Sequence, residues 1–417
     1  MRASPSNPKA APTTPRCGSR TSEKKSSTAD EEILARKSTP NHCMRLLFVS
    51  HSFPPPDSPL SNVGGMQRVA TELHTALETR DDVAMRTVAL RSSWRSVHIK
   101  VVPFLASLAV RLVREAAAHR ADTILFTSMT TAFPLLISGH LLKRKGIRLA
   151  AIAHGLDVTE PNPLYQMAVR RLCRMLDVAM PVSRATGEEL VARGLPRERM
   201  HVVPNAVDLD RFEGVAALRG EPTRARIEGA QALSDDTFLL VAVGRLIRRK
   251  GFVWFIENVM PKLPDRVVFW LAGDGPEREN IESAIGRAGL RRRVRCLGQI
   301  SEEELVELYR AGTLFVMPNI VVPGDMEGFG IVMLEAGACG LPTLAADLEG
   351  IRDVIDEGVN GWFAPTGDAN AFSARIESLL GDPDSLRAAS ERTAEYVTSK
   401  FRWDSTAERY LDAVRDR

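Results

Sequence analysis

Residues 327–335 read Glu-Gly-Phe-Gly-Ile-Val-Met-Leu-Glu, a glycine-bearing loop that runs into an apolar helix. Glycines leave backbone amides uncovered, and amides at the start of a helix attract anions. Glu327 lies in the loop, and Glu335, eight residues later, is expected about a turn and a half into the helix. This spacing would let one carboxylate meet a sugar and the other a ribose, with phosphates held between them. The alternative is two ordinary carboxylates, one in the first turn and one on the helix surface, although the apolar neighbours of Glu335 disfavour an exposed position.

Short apolar strands precede this loop, and each ends in a small or polar turn. Strands are expected at 238–243, 267–271, 294–297 and 313–317 and, earlier in the chain, at 45–50, 83–90, 123–127, 148–153 and 178–182. Helical patterns lie between and after them, among them 104–119, 165–176 and 405–414. This alternation predicts an α/β fold with doubly wound parallel sheets, which bind ligands at the carboxyl edge of the strands.

The length of the chain, 417 residues, predicts two domains, since one hydrophobic core rarely serves so many residues. We expect a first domain over residues 44–206 and a second over 207–399. Residues 400–417 are expected to form a helix that crosses back to the first domain. Pro204 and Asn205 suit a hinge between the two.

Residues 1–43 are expected to form a disordered tail. They hold seven Ser, five Thr and five Pro and no aromatic residue, which is too little apolar surface for folding. They lack the apolar centre of a secretory signal, and their four acidic residues disfavour a transit peptide. The alternative is that Met44 is the true start of translation.

Composition narrows the class of protein further. The net charge of +3 gives no support for nucleic-acid binding, and the chain has no apolar run long enough to predict a membrane-spanning helix. The five cysteines are far apart and odd in number, so neither a metal site nor a disulfide framework is expected. These features predict a cytoplasmic protein.

Two cations are candidates for binding a diphosphate. Arg245 and Lys250 both follow the strand at 238–243, and two positive charges at the edge of a parallel sheet suit that ligand. The alternative is a solvated basic turn, which Arg248 and Arg249 are expected to form in part.

The first domain contributes two further candidates. Gly64 and Gly65 follow a loop, and a helix is expected to begin at Gly65, where backbone amides can approach an anion. A simple turn of the chain explains the two glycines equally well. His154 follows the strand at 148–153 and would face the ligand crevice. From the residues alone, a histidine bonded to a backbone carbonyl is the favoured interpretation.

The helical stretch at 165–176 carries Arg170, Arg171 and Arg174 beside apolar residues. Such basic amphipathic helices can lie on anionic membranes. More often they pack on a core and present a solvated basic face.

The chain resembles a known family. Residues 327–336 are similar to the E-x7-E signature of retaining family 4 glycosyltransferases with the GT-B fold. Supporting matches occur in order from Met44 onward: Gly64-Gly65, His154-Gly155-x-Asp157, Val203-Pro204-Asn205-x-Val207-Asp208, Gly244-Arg245-Leu246 with Lys250-Gly251, and Ala272-Gly273-Asp274-Gly275-Pro276. The resemblance implies two Rossmann-like domains that face each other across a cleft.

The resemblance also implies roles for particular residues. Arg245 and Lys250 would neutralise the diphosphate, Glu327 would contact hydroxyls of the donor sugar, and Glu335 would contact the ribose. His154 would lie near the reacting sugar and Gly65 near a phosphate. The implied catalytic set is His154, Arg245, Lys250 and Glu327; the implied donor-binding set is Gly65, Gly244, Arg245, Lys250, Gly273, Gly328, Phe329, Gly330, Ile331 and Glu335. No metal or other cofactor is implied.

The expected activity is transfer of a hexosyl unit from a UDP- or GDP-sugar, with retained anomeric configuration. The expected acceptor is a glycan or a lipid-linked molecule of cell-surface polysaccharide or glycolipid biosynthesis, with peripheral contact at the inner membrane face as a secondary expectation. The alternatives are a nucleotide-sugar 2-epimerase on the same fold and a catalytically silent partner protein. Residues 318–326 are longer than the common turn of this family, so donor identity is not carried over from relatives.

Overall fold

The computed structural model describes residues 43–55, 65–92, 94–216 and 236–416, and of residues 94–98 it describes the backbone alone. Residues 1–42 of the expected tail, Gly64 and residues 217–235 of the second predicted domain lie outside the described residues. Everything below concerns the described part.

The first sheet is built from five parallel strands in the order β2-β1-β3-β4-β5. They are β1 Met44–Phe53, β2 Val83–Arg91, β3 Thr123–Phe126, β4 Arg148–Ala153 and β5 Val178–Pro181. The strand interiors are apolar on both faces; Leu46, Leu47 and Phe48 are all fully buried. Continuous burial of this kind arises because helices cover both faces of a parallel sheet.

The second sheet has six parallel strands in the order β11-β10-β9-β6-β7-β8. They are β6 Phe238–Val243, β7 Val267–Ala272, β8 Val294–Gly298, β9 Leu314–Met317, β10 Thr343–Ala346 and β11 Gly361–Ala364. The last two strands were not expected from the sequence. Each has only four residues, which is too short a run for the apolar pattern that marks a strand.

Helices connect these strands. They are α1 Gly65–Glu78, α2 Trp94–His119, α3 Leu135–Arg144, α4 Leu156–Thr159, α5 Pro163–Met175, α6 Arg184–Ala192, α7 Phe252–Asn258, α8 Arg278–Arg287, α9 Glu302–Ala311, α10 Val332–Ala338, α11 Ala369–Leu380, α12 Pro383–Lys400 and α13 Trp403–Arg415. The pattern predicted a start for α2 at Phe104, but the helix begins ten residues earlier and continues through Pro103. Pro103 lies at an exposed position, where water can satisfy the carbonyl that the proline ring leaves without a donor.

The C-terminal helix α13 returns to the first sheet and packs against α1 and β5. Trp403 Nε1 donates to Glu72 Oε2 at 2.6 Å, and Arg415 Nη2 donates to Asp82 Oδ2 at 2.8 Å. Tyr410 is 1% exposed within this contact. The helix therefore ties the end of the chain to the half of the molecule that contains its first strand.

The architecture confirms the predicted α/β fold with two doubly wound sheets. No helix in the described ranges has the length and apolar character needed to cross a membrane. The cysteines in the same ranges, Cys43, Cys173, Cys296 and Cys339, are free thiols.

Candidate active site

Each sheet has one point at which the strand order reverses. In the second sheet this point lies between β6 and β9, and in the first it lies between β1 and β3. Connections leave toward opposite faces there, which opens a crevice at the carboxyl edge. The loop after β6 carries Lys250, and the loop after β9 carries Glu327. The topology therefore brings these two side chains to the same crevice.

Lys250 and Glu327 form a buried ion pair. Lys250 Nζ lies 2.6 Å from Glu327 Oε2, and the two side chains are 7% and 8% exposed. Arg249 Nε lies 3.5 Å from the same oxygen, and Asn319 Nδ2 donates to it at 3.0 Å. The Glu327 carboxylate is thus held by three groups in a place with little water.

Burial alone would raise the pKa of Glu327. The positive charges of Lys250 and Arg249, together with hydrogen bonds from Lys250 and Asn319, outweigh burial and lower this pKa to about 2. A second carboxylate supports the loop, because the Glu327 backbone amide donates to Glu349 Oε2 at 2.5 Å. Burial raises the pKa of Glu349. The two neighbouring carboxylates therefore differ in their tendency to hold a proton.

The arginine side chains of the basic turn before α7 differ in their exposure to solvent. Arg248 is exposed, as a solvated turn would be. Arg249, by contrast, is 17% exposed, and its Nη1 donates to Asp325 Oδ1 at 2.7 Å. The prediction that Arg249 is partly a surface residue misses this role, because its partner is 76 positions away in the long loop of residues 318–326.

Glycines shape the neighbouring turns of the second sheet. Gly244 directly follows β6 at φ 153°, and Gly273 directly follows β7 at φ 135°. A Cβ on Gly273 would lie 1.9 Å from the Gly244 carbonyl oxygen, so the two turns pack backbone against backbone. Arg245 follows directly and is exposed. A ligand at this edge would therefore meet backbone groups and one accessible guanidinium.

The two halves of the molecule touch at Gly328. A Cβ at this position would lie 1.7 Å from the His154 carbonyl oxygen, which follows β4 of the first sheet. Gly155, at φ 108°, would place its own Cβ 2.8 Å from Gly328 Cα. Both glycines are thus required by the close approach of the two loops, and the predicted site residues His154, Glu327 and Gly328 come together here.

His154 is half-buried and its ring is fixed. Nε2 lies 2.8 Å from the Thr127 carbonyl oxygen, and because a carbonyl can only accept, Nε2 carries the proton. Asp157 fixes the loop by accepting from the His154 amide at 2.7 Å and from the Met129 amide at 3.0 Å. The ring of His154 thus bonds to a backbone carbonyl, and its backbone lies at the meeting point of the halves.

Glu335 makes a different set of contacts. It is the fourth residue of α10, about one turn into the helix rather than a turn and a half, and it is 2% exposed. Its Oε2 accepts from Tyr309 Oη at 3.1 Å, and its Oε1 pairs with Arg68 of α1. Arg211 Nη1 lies 3.7 Å from the same Oε1. No sequence motif pointed to Arg68 or Arg211, which come from remote parts of the chain.

The remaining predicted residues have varied surroundings. Gly65 is the first residue of α1, and a Cβ there would meet nothing within 4 Å. Phe329 is 3% exposed and its ring packs edge-on against Phe401 at 6.2 Å between centroids, so its side chain belongs to the core. Gly330, at φ 89°, and Ile331 lead into α10.

The reversal point of the first sheet holds a polar cluster that the sequence analysis did not find. His51 Nδ1 lies 2.6 Å from Thr131 Oγ1, and Ser128 Oγ lies 2.7 Å from that same hydroxyl. Thr127 Oγ1 donates to Ser50 Oγ at 2.9 Å. Hydroxyl side chains have no strong motif, so only the meeting of β1 and β3 reveals the cluster.

The described ranges contain no group of three His, Cys, Asp or Glu placed to hold a metal ion.

Comparisons with known proteins agree with this geometry. Residues 223–396 match the family described as Glycosyl transferases group 1, and residues 63–211 match Glycosyltransferase Family 4. A GDP-mannose-dependent alpha-(1-6)-phosphatidylinositol monomannoside mannosyltransferase of Mycolicibacterium smegmatis is 28% identical over 89% of this chain and 98% of its own length. A D-inositol 3-phosphate glycosyltransferase of Xylanimonas cellulosilytica is 30% identical over 67% of this chain and 65% of its own length.

Solved structures show the same fold. Anabaena HepE in complex with UDP has a TM-score of 0.69 at 18% identity, covering 89% of this chain and 100% of that one. Sucrose-phosphate synthase of Thermosynechococcus elongatus has a TM-score of 0.70 at 21% identity, covering 89% of this chain and 98% of that one. The two sheets and their connections therefore form a GT-B fold.

The matching families and the similar proteins define the class: this is a glycosyltransferase. The chain belongs to family 4 of the glycosyltransferases, the group 1 type. The expected family, fold and enzyme class are thereby confirmed. The similar proteins support this activity over the alternatives of an epimerase and a silent partner.

Proposed function

We propose that this protein transfers a hexosyl unit, with retention, from a nucleoside-diphosphate sugar to a glycan or lipid-linked acceptor. The observation that carries the proposal is the buried Lys250–Glu327 pair at the reversal point of the second sheet. An ammonium has three N–H donors, and its bond to Glu327 uses one. The others suit diphosphate oxygens, while the ionised carboxylate of Glu327 suits hydroxyls of the donor sugar.

The same residues suit the charge that develops during transfer. The bond between C1 of the sugar and the diphosphate breaks, a bond from the acceptor oxygen to C1 forms on the same face, and the acceptor proton passes to the departing phosphate. Negative charge grows on the diphosphate, and the cations Lys250 and Arg245 can lower the barrier by several kcal/mol. This chemistry needs no metal or other cofactor, and His154 would contact the reacting sugar.

GDP-mannose is the first donor to test. The M. smegmatis relative, which is similar along almost its whole length, is named for that donor. UDP-sugars are the second candidates, since the expected donors carry either guanine or uracil. Residues 318–326 bear on this choice, because Thr159 Oγ1 donates to the Gly324 carbonyl at 3.2 Å and brings the long loop against the first half.

The test is release of GDP or UDP from GDP-mannose or UDP-glucose in the presence of EDTA, with and without a lipid extract as acceptor. NMR of the product then reports its anomeric configuration. Lys250→Met and Glu327→Gln are expected to lower turnover by about 100-fold or more, the usual loss when one charge-stabilising group is removed. Lys262→Met, at an exposed lysine, is the control. Turnover within a few fold of wild type in Lys250→Met would remove this pair from the active site.

We further propose that helices α3 and α5 bring the enzyme to an anionic membrane. Exposed apolar side chains lie on both helices: Ile137 is 77% exposed, Leu164 is 73% exposed and Met167 is 65% exposed. Beside them Arg170, Arg171 and Arg174 line a cavity of about 730 Å³. Apolar residues next to exposed arginines match the interface of a bilayer with acidic headgroups.

Vesicle sedimentation tests this surface. We expect the protein to bind vesicles of phosphatidylcholine that contain roughly 30% of the acidic lipid phosphatidylglycerol. Binding to vesicles of pure phosphatidylcholine should be much weaker. The double variant Arg170→Glu/Arg171→Glu should lose this binding. Arg291→Glu/Arg292→Glu, also an exposed adjacent pair but in the other half, should retain it. Equal loss in both doubles would mean that net charge alone governs binding.

A further inference from the structure

One ion pair at the junction of the two halves is not explained by the proposed roles. Arg68 belongs to α1, which packs on the first sheet, whereas Glu335 belongs to α10 of the second half. The two are 267 positions apart, and their side chains are 9% and 3% exposed. Removing one partner of such a buried pair leaves an uncompensated charge, so each of the two side chains constrains where the other lies.

The pair belongs to a larger charged group, which we call the junction cluster: Arg68, Arg211, Glu302, Tyr309 and Glu335. Arg68 Nη2 lies 3.9 Å from Glu302 Oε2, and Arg211 pairs with Glu302 as well. Arg211 also lies over the ring of Phe212, at 4.9 Å from its centroid. Residues from both halves and from the turn at 210–212 thus fix the charges in place.

The contacts set the plane of the Glu335 carboxylate. Arg68 occupies Oε1, and the Tyr309 hydroxyl occupies Oε2 at 3.1 Å. A carboxylate has about four acceptor positions, and Arg211 Nη1, at 3.7 Å from Oε1, lies beyond hydrogen-bond distance, so these contacts leave one further position on each oxygen. Because only 3% of the side chain is exposed, little of Glu335 is accessible to a ligand, so the plane of the carboxylate decides whether a contact is made.

We propose that Arg68 is a positioning residue for the ribose of the donor. It would act through Glu335, by holding that carboxylate turned so that its open acceptor positions face the ribose hydroxyls. The guanidinium comes from the half opposite to Glu335, so ribose recognition then depends on the two halves being together. This inference rests on the proposed function and on the role that the family resemblance implies for Glu335, contact with the ribose.

Calorimetric titration separates this role from a merely structural one. The probes are GDP and UDP and their 2′,3′-dideoxy analogues, which lack the ribose hydroxyls. Wild type is expected to bind the matching nucleotide about tenfold more tightly than its dideoxy analogue, the effect of one charge-assisted hydrogen bond. Arg68→Ala should weaken binding of the complete nucleotide by a similar factor and leave the dideoxy analogue unchanged, and Arg68→Lys should restore part of the difference.

Arg184→Ala is the matched control. Arg184 also pairs across the halves, with Nε 2.6 Å from Asp353 Oδ1, but its side chain is 73% exposed. This variant should discriminate between the nucleotides as wild type does. Equal weakening of both nucleotides in Arg68→Ala would overturn the proposal in favour of a structural role, and tighter binding of the complete nucleotide would show that Arg68 blocks Glu335. If wild type bound none of the probes, the proposed function itself would fail.

Discussion

Replacing Lys250 by methionine removes the cation nearest to a buried carboxylate. The pKa of Glu327 is about 2, against an ordinary value of 4.5, so the folded protein favours the ionised form by about 3 kcal/mol at neutral pH. Removing one partner of a buried ion pair typically costs about 3–5 kcal/mol. We therefore expect Lys250→Met to lower the free energy of unfolding by about 3 kcal/mol at pH 7.

A double-mutant cycle shows whether the loss comes from this pair. Lys250→Met/Glu327→Gln leaves no unpaired charge between these two positions, so it should be more stable than the sum of the single changes predicts, by about 2 kcal/mol. Denaturant unfolding followed by tryptophan fluorescence is suitable, because Trp254, Trp270 and Trp362 lie in the same half as the pair.

The pH dependence provides an independent check with a definite sign. The folded pKa of Glu327 is lowered, so its stabilising effect is complete above about pH 4.5 and is lost as the pH falls through about 2. The difference between wild type and Lys250→Met should therefore shrink over that range. A loss below about 1 kcal/mol at pH 7, with additive single and double variants, would refute the reasoning.

Three further predictions concern other contacts. The pKa of Glu72 is raised to about 7, chiefly by burial, so the folded state takes up a proton that the unfolded state lacks between about pH 4.5 and 7. Wild-type stability should fall as the pH rises through this window, by up to about 3 kcal/mol, and melting temperatures of Glu72→Gln measured from pH 5 to 8 should lack that fall. Gly328→Ala places a Cβ 1.7 Å from the His154 carbonyl oxygen, so steady-state turnover should drop about 100-fold. Gly381→Ala is the control: its Cβ would meet nothing closer than 3.5 Å, and this variant should behave as wild type. Arg184→Ala breaks an exposed salt bridge and should change the free energy of unfolding by less than about 1 kcal/mol, which equilibrium unfolding can check.

The elements with strong local patterns were predictable. Strands β4 and β6 occur at the predicted bounds, because uninterrupted apolar runs between polar turns mark buried parallel strands. Strands β10 and β11 were missed, since each has only four residues, too few to show a period. The start of α2 was placed too late for a related reason: Pro103 has the local character of a helix boundary, and exposure on the helix surface made it tolerable.

The candidate site divides in the same way. Lys250 and Glu327 stand out in the sequence because of their residue types. A cation suits a diphosphate, a carboxylate suits a sugar, and few other side chains do either. Arg249 and Asn319 did not stand out, although both contact Glu327. Their contribution depends on burial and orientation, and no short stretch of sequence encodes either.

The sequence by itself determined the alternation of strands and helices, the glycines at the strand ends and the charged residues of the crevice. These follow from local physics: the period of apolar residues, the backbone angles that glycine permits and the charge of each side chain. Only the tertiary structure decided which charges meet. Arg68 reaches Glu335 across 267 positions because two separate sheets pack with their crevices adjoining, and the strength of an ion pair depends on the water that such packing excludes.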